Sequence, residues 1–202
     1  TNQTNQVKLP VEYTMYTEDF ILRQIRLALS VIAHIQRYKQ AGQYEQALQS
    51  IDQALETLMG LRANLLRHLG DEKMINMLTL HDSLDVERLA ILADLFKEEG
   101  EVLGLQGRPD EAGAALQRAL RFYLEVALDD PGQMPEDILR KIEALRPNLE
   151  TGSLPLETQM ALLDYLERLQ RWSDSDLAEV GCERVALRAE AERINQQLKD
   201  LL

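Results

Sequence analysis

A near-duplication of one short segment constrains the fold of this 202-residue chain more than any other feature of its sequence. Residues 106–120 read QGRPDEAGAALQRAL, and residues 41–55, which lie 65 positions earlier, read AGQYEQALQSIDQAL. Each copy contains a glycine, then one or more acidic residues, and then two alanines that are seven positions apart. The chain therefore uses one local structure twice.

This order of residues is typical of a hinge followed by the second helix of a helical hairpin. Glycine supplies the left-handed conformation at which a helix ends, and acidic side chains are favourable at the positive start of the next helix. Alanines seven positions apart lie on one helix face and let a neighbouring helix approach closely. We expect packing positions at Gly42, Ala47 and Ala54 in the first copy and at Gly107, Ala112 and Ala119 in the second.

The predicted fold is all-α, with antiparallel helical hairpins stacked as one continuous array. Leu, Ala, Glu, Gln and Arg are abundant and are good helix formers, whereas aromatic residues make up only 5% of the chain. We expect a flexible arm at 1–16, with Thr17 as the cap of the first helix. Two hairpins follow over 17–130, with inserted connecting helices at 61–83. A degenerate third hairpin and a C-terminal helix are expected over 131–202. In that third hairpin, the second helix is expected to begin near Trp172 and to carry Ser175 and Cys182 at the small-residue positions.

Charge and composition argue against several classes of partner. The formal charge of −12 is the opposite of the basic surface that binds nucleic acid. The single cysteine excludes an internal disulfide and fits a reducing compartment. The longest apolar run, 25–35, is far shorter than the about 20 residues that cross a bilayer, and the polar start lacks a signal-peptide core. We expect a cytoplasmic protein without a cofactor, a metal, a nucleic-acid partner or a membrane partner.

The two copies resemble tetratricopeptide (TPR) repeats over about 34 residues each. The matching positions are Gly100, Leu103, Gly107, Ala112, Leu116 and Ala119 in the second copy, and Tyr38, Gly42, Ala47, Ile51 and Ala54 in the first. Ile35 departs from the pattern, since TPR repeats usually carry a small residue there, and the copies are not adjacent. The whole layout, which opens with EDFILR at 18–23, is similar to a bacterial group of TPR-like proteins of unknown function.

The resemblance implies a binding groove. In TPR arrays the first helix of each pair lines a concave surface that binds peptides or partner helices. The corresponding residues here are Gln36, Lys39, Gln40, Asp94, Lys97 and Glu101. Glu101 stands where some TPR domains carry an asparagine that clamps a peptide carboxylate, so no such clamp is expected. The resemblance thus favours a non-catalytic module for protein interaction, and the alternative is a sensor that binds a peptide or small molecule in a pocket between helices.

Few residues of the chain suggest catalysis. His34, His81, Asp82 and Asp129 follow the order of ligands in all-α metal-dependent phosphohydrolases, where imidazoles and carboxylates hold a metal that activates water. However, His81 and Asp82 fall in a predicted loop, and their surroundings do not resemble that family. The enzyme therefore stays a remote alternative, and we expect no catalytic activity. Cys182 is interpreted as a small packing residue.

The last helix carries a narrow apolar stripe. Its members step by three and four positions and are Leu187, Ala191, Ile194, Leu198 and Leu201. Such a stripe fits either a cap over the array or a contact with a second copy. An uncovered stripe of this size is unusual on a monomer, so we expect a homodimer with this helix at or beside the contact.

Overall fold

The computed structural model describes residues 11–130 and 134–201, and these residues form an all-α fold. The helices are α1 Val11–Gln40, α2 Tyr44–Met59, α3 Ala63–His68, α4 Asp71–Met77, α5 Val86–Leu105, α6 Pro109–Asp129, α7 Glu136–Leu145, α8 Leu156–Leu169, α9 Asp174–Glu179 and α10 Arg184–Leu201. Two short 3-10 helices, Arg146–Asn148 and Thr151–Ser153, connect α7 to α8. The prediction of an all-α fold is confirmed.

The first helix begins earlier than predicted. Residues 1–10 of the predicted arm lie outside the described residues, but α1 already includes Val11. Thr17 is therefore an interior residue of the helix and not its cap. The physical reason is that no Gly or Pro interrupts the chain between Val11 and Thr17, so the helix can continue toward its N-terminus.

Both predicted hinges have the expected glycine geometry. Gly42 lies between α1 and α2 with a φ of 69°, and Gly107 lies between α5 and α6 with a φ of 74°. At each hinge the residue after the glycine donates its N–H to the carbonyl five positions before it, at 2.9 and 3.0 Å. This bond satisfies a carbonyl that the end of the helix would leave unpaired. Each hinge thus reverses the chain and joins two helices that pack side by side.

The four predicted packing alanines are buried in the hairpins. They are Ala47, Ala54, Ala112 and Ala119. Their small side chains stand among larger apolar residues of the core, so the helix axes approach each other there.

Gly100 marks the closest approach between α5 and α6. A Cβ atom added to this glycine would lie 2.6 Å from Cγ of Leu116 and 3.0 Å from the carbonyl oxygen of Ala112. Both distances are shorter than ordinary van der Waals contact, so no larger residue fits without movement of α6. Gly100 therefore has a packing role, as the sequence predicted.

The inserted segment between the hairpins consists of α3, α4 and a small β-hairpin. The hairpin pairs β1 (Thr79–Leu80) with antiparallel β2 (Ser83–Leu84). His81 and Asp82 form its turn, with φ values of 50° and 61°. The sequence predicted a loop here and missed the strands, because two residues are too few to show an alternating pattern.

The third hairpin differs from the prediction. Residues 174–179 form the six-residue helix α9, which starts at a cap on Ser173 and stops before Gly181. Gly181 has a φ of 75°, and this left-handed residue ends the helix that the sequence had extended through Cys182. Helix α8 packs against α10 and against α6. Ser175 is exposed, so it does not take the place of a packing alanine.

The apolar stripe of α10 is covered within the chain. Leu187, Ala191 and Ile194 are buried in the core, and Leu198 packs against it while partly exposed. The side chain of Leu201 lies outside the described part of the structure. Arg146 also pairs with Glu190 and holds α10 against the preceding segment. The stripe thus caps the array, which removes the reason for expecting it at a dimer contact, and the homodimer itself stays a prediction.

We expect Gly100→Ala to destabilise the protein by about 1–3 kcal/mol, because the new Cβ atom must push α6 away. The matched control is Gly113→Ala in α6, where an added Cβ atom meets nothing within 4 Å. That control should stabilise the helix by about 0.5–1 kcal/mol. Urea denaturation of both variants measures the difference, and equal stabilisation by both would contradict the close packing at Gly100.

Candidate binding cleft

Helix α5 presents charged side chains on two opposite faces. One face carries Asp94, Lys97, Glu98 and Glu101. The other carries Phe96, Glu99 and Leu103. An α-helix has 3.6 residues per turn, so the mean directions of the two sets differ by about half a turn. The first set belongs to the groove implied by the TPR resemblance, whereas the second set lies in a separate cleft.

Four of the predicted groove residues of α1 and α5 form one network around Glu98, which the sequence did not predict as a groove residue. Lys39 Nζ lies 2.6 Å from Glu98 Oε2 and also contacts Glu101. Gln36 donates to Glu98 at 2.7 Å, and Lys97 lies 2.5 Å from Glu101. Burial alone would raise the pKa of Glu101, but hydrogen bonds from the two lysines outweigh it and lower that pKa. Two cations thus balance two carboxylates, and the network joins the first hairpin to the second.

The two remaining groove residues lie in different surroundings. Asp94 accepts a hydrogen bond from Tyr123 Oη at 2.5 Å and lies 2.7 Å from Lys141 Nζ of α7. Burial and the neighbouring Asp94 carboxylate raise the pKa of Tyr123 far above its usual value, so this hydroxyl stays a donor. Gln40 is exposed at the end of α1. The structure therefore brings four of the six predicted residues together and separates the other two.

A cleft of about 660 Å³ lies on the opposite face of α5. Helices α2 and α6 form its two walls, α5 forms its floor, and Arg67 of α3 closes one end. Its apolar surface comes from Leu48, Phe96, Leu103, Ala114 and Ala115. Ligand sites in proteins commonly have volumes of about 300–1,000 Å³ and a mostly apolar lining with a few polar groups. The cleft has the size of such a site, but eight of its thirteen lining residues are polar or charged, so its lining is more polar than is usual.

Arg67 joins two carboxylates inside the cleft. Its Nη2 lies 2.5 Å from Asp52 Oδ1 of α2, and its Nε lies 2.6 Å from Glu99 Oε1 of α5. Glu99 is only 5% exposed. Burial raises the pKa of Glu99 above its ordinary value, although the Arg67 guanidinium acts in the opposite direction. In the cleft, the single guanidinium of Arg67 thus pairs with two carboxylates, the buried Glu99 and the more exposed Asp52.

Arg118 connects the cleft wall to the inserted segment. Its guanidinium lies 5.1 Å from the ring centre of Phe96 on the cleft floor. It also donates to Asp71 at 2.7 Å and to the carbonyl of Leu69 at 2.9 Å, so it satisfies the C-terminal end of α3. At the outer rim of the cleft, Arg108 pairs with Glu111. Both arginines therefore already have acceptors within the chain.

The candidate catalytic residues show no shared site. His34 and Asp129 are exposed on α1 and α6, and His81 and Asp82 form the turn of the β-hairpin. Within residues 11–130 and 134–201, no group of three or more His, Cys, Asp or Glu side chains is placed to hold a metal ion. The absence of catalytic activity stays a prediction.

Comparisons with known proteins give no match. A scan against protein-family models finds no matching family, and searches of curated proteins and of solved structures also find no match. In the described part of the chain, no helix has both the length and the apolar character needed to cross a bilayer. The cleft is therefore interpreted from its own geometry.

The sequence missed the residues that define the cleft. Glu98 and Glu99 are adjacent in α5 and closely follow the mostly apolar run 89–96. This position signals that at least one of the two acids is buried. The sequence does not show which of them faces which neighbour, because the partners Lys39 and Arg67 are 59 and 32 positions away. The pairing depends on how the hairpins and the insert pack.

We expect Lys39→Met to reduce the free energy of unfolding by about 1–3 kcal/mol, because Glu98 would lose its closest cation while remaining buried. The control is Lys73→Met, since Lys73 is exposed on α4 and no ion pair of it is found among the described residues. Urea denaturation measures both. An equal, small effect of the two substitutions would show that the network adds no stability.

We expect the Cys182 thiol to be unreactive in the folded protein. Burial and the nearby Glu143 carboxylate raise the pKa of this thiol to about 12, so only about one thiol in ten thousand is ionised at pH 8. A disulfide reagent at pH 8 should label Cys182 only after denaturation. The matched control is Val185→Cys, at an exposed position of α10, which should add one fast-reacting thiol. Equally fast labelling of Cys182 would contradict the burial.

Proposed function

We propose that this chain is a non-catalytic helical binding module that holds a peptide segment of a protein partner in the cleft between α2, α5 and α6. The observation that carries the proposal is the cleft itself, which combines a volume of about 660 Å³ with apolar side chains of α2 and α6 and the buried carboxylate of Glu99. A homodimer and a cytoplasmic location, both expected from the sequence, form no part of this proposal.

The cleft is a better candidate than the groove between α1 and α5. A ligand in that groove would have to replace the contacts that Lys39 and Gln36 already make with the buried Glu98. Replacing such contacts costs the desolvation free energy of a charged group. The cleft offers apolar surface at the partly exposed Leu48 and the exposed Ala114, and a ligand there gains free energy by covering it.

The shape of the cleft favours a peptide. Two helices run along its sides and a third lies beneath, which is the arrangement that helix-in-groove recognition uses. The proposal treats the hairpins as TPR-like repeats, in keeping with the resemblance of their residues. In that description the cleft lies between the second helices of the two hairpins, whereas the resemblance implies a groove on the first helices.

A small molecule is the second candidate ligand, and the volume of the cleft favours it. About 660 Å³ falls inside the range of sites that enclose small ligands. The same residues would then form a sensor pocket between helices, with Arg67 at its end.

We expect Ala114→Arg to abolish peptide binding, because the new side chain would occupy the cleft from an exposed position of α6. The matched control is Gln40→Arg, which places an arginine at the exposed end of α1 beside the predicted groove. Peptides selected from a random twelve-residue phage library on the unaltered protein would be measured by fluorescence anisotropy against both variants. Neither variant should change stability by more than about 0.5 kcal/mol.

The opposite pattern would assign binding to the first helices. If Gln40→Arg abolishes binding and Ala114→Arg does not, the groove between α1 and α5 is the site and the cleft proposal is wrong. If the library yields no peptide, a small molecule becomes the leading candidate ligand.

A further inference from the structure

The cleft has more acidic than basic groups. Its lining contains the carboxylates of Glu45, Asp52, Glu99 and Glu111. It contains the guanidinium groups of Arg67, Arg108 and Arg118. Four carboxylates against three guanidinium groups leave the lining with a formal charge of −1, and Arg118 also pairs with Asp71, which lies outside the lining. A ligand with a positive charge would restore the balance.

The uncompensated charge is concentrated at Asp52 and Glu99. These two carboxylates share the single guanidinium of Arg67. Within the described residues, the hydrogen bond to Glu99 comes from Arg67 Nε and reaches Oε1 alone. An ionised carboxylate can accept about four hydrogen bonds, so Oε2 of Glu99 retains acceptor capacity in the cleft. A donor from a ligand can pair with it there.

Resting on the function proposed above, we propose that the bound peptide inserts a lysine or arginine side chain into the cleft, with its cationic end beside Arg67, at the oxygens of Glu99 and Asp52 to which Arg67 does not donate. The apolar neighbours of that basic residue cover Leu48 and Ala114. The methylene groups of a long basic side chain also suit these two residues, because such side chains pack their stems on apolar surface while the charged end reaches a polar group.

An acidic peptide side chain fits the same cleft poorly. Each arginine of the lining already donates to an acceptor of the chain: Arg67 to Asp52 and Glu99, Arg108 to Glu111, and Arg118 to Asp71. A second carboxylate near Glu99 would meet like charge in a poorly solvated place, which is unfavourable. The electrostatics therefore select for a cation.

The test uses peptides that the full chain selects from a random twelve-residue phage library. Each selected peptide is resynthesised with its basic residue replaced by norleucine, which keeps the apolar stem and removes the charge. Binding is measured by fluorescence anisotropy on the unaltered protein and on Glu99→Gln, Asp52→Asn and Glu101→Gln. Glu101 is the matched control, because it lies on the opposite face of the same helix. Circular dichroism confirms that each variant is folded.

We expect selected peptides to carry a basic residue flanked by apolar ones. Norleucine in its place should weaken binding to the unaltered protein and to Glu101→Gln by about ten-fold or more. The parent peptide should bind Glu99→Gln more weakly than it binds the unaltered protein. The affinities of the parent peptide and its norleucine version for Glu99→Gln should be nearly equal. If Glu99→Gln does not fold, Asp52→Asn carries the test, since the Asp52 side chain is 44% exposed and its loss leaves the Arg67–Glu99 pair in place.

The outcomes separate this inference from the function on which it rests. Peptides that Ala114→Arg blocks, but that show no basic preference or prefer acidic residues, would overturn the cation site and leave the peptide cleft standing. Peptides that Ala114→Arg does not affect, or a library that yields no binder, would overturn the peptide cleft and the cation site together. Displacement of the peptide by an equal concentration of n-butylammonium would show that a free amine is the preferred ligand.

Discussion

The close approach of α5 to α6 at Gly100 is the contact on which the rest of the structure depends. It brings α6 near enough for Arg118 to reach over Phe96 and bond the end of α3. The same hairpin leaves the remaining faces of α5 to α1 and α2. The helix is then surrounded by neighbours, and its two adjacent acids, which point about 100° apart, pair with different helices: Glu98 with Lys39 of α1 and Glu99 with Arg67 of α3. The network with α1 and the cleft both follow from this arrangement.

The hairpins could be predicted because their signals are local. Gly42 and Gly107 adopt the left-handed conformation that was expected where each first helix ends. Small residues at helical spacing likewise identify buried positions without knowledge of the partner helix. Such features depend on a few consecutive residues, so a single sequence is enough to read them. The all-α fold is the sum of these local features.

The errors have a different origin, since each involves a competition that the local pattern does not decide. The apolar stripe of α10 was compatible with a cap or a second copy, and only the packing of α8 shows that the chain covers it. The spacing of Ser175 and Cys182 predicted one helix across this segment, whereas the left-handed conformation of Gly181 ends α9. The cleft was missed because Asp52, Arg67 and Glu99 come from three different helices. Their meeting is a property of the tertiary structure.

The two arginines at the end of the cleft make the insert part of its architecture. Arg67 belongs to α3 and holds acids of α2 and α5, while Arg118 of α6 holds the carbonyl end of α3. Helix α3 therefore contacts both walls of the cleft, α2 and α6, and its position sets the distance between them. The short connection at 60–62 sets where α3 begins. A change in its length would therefore change the width of the cleft, even with every lining residue unchanged.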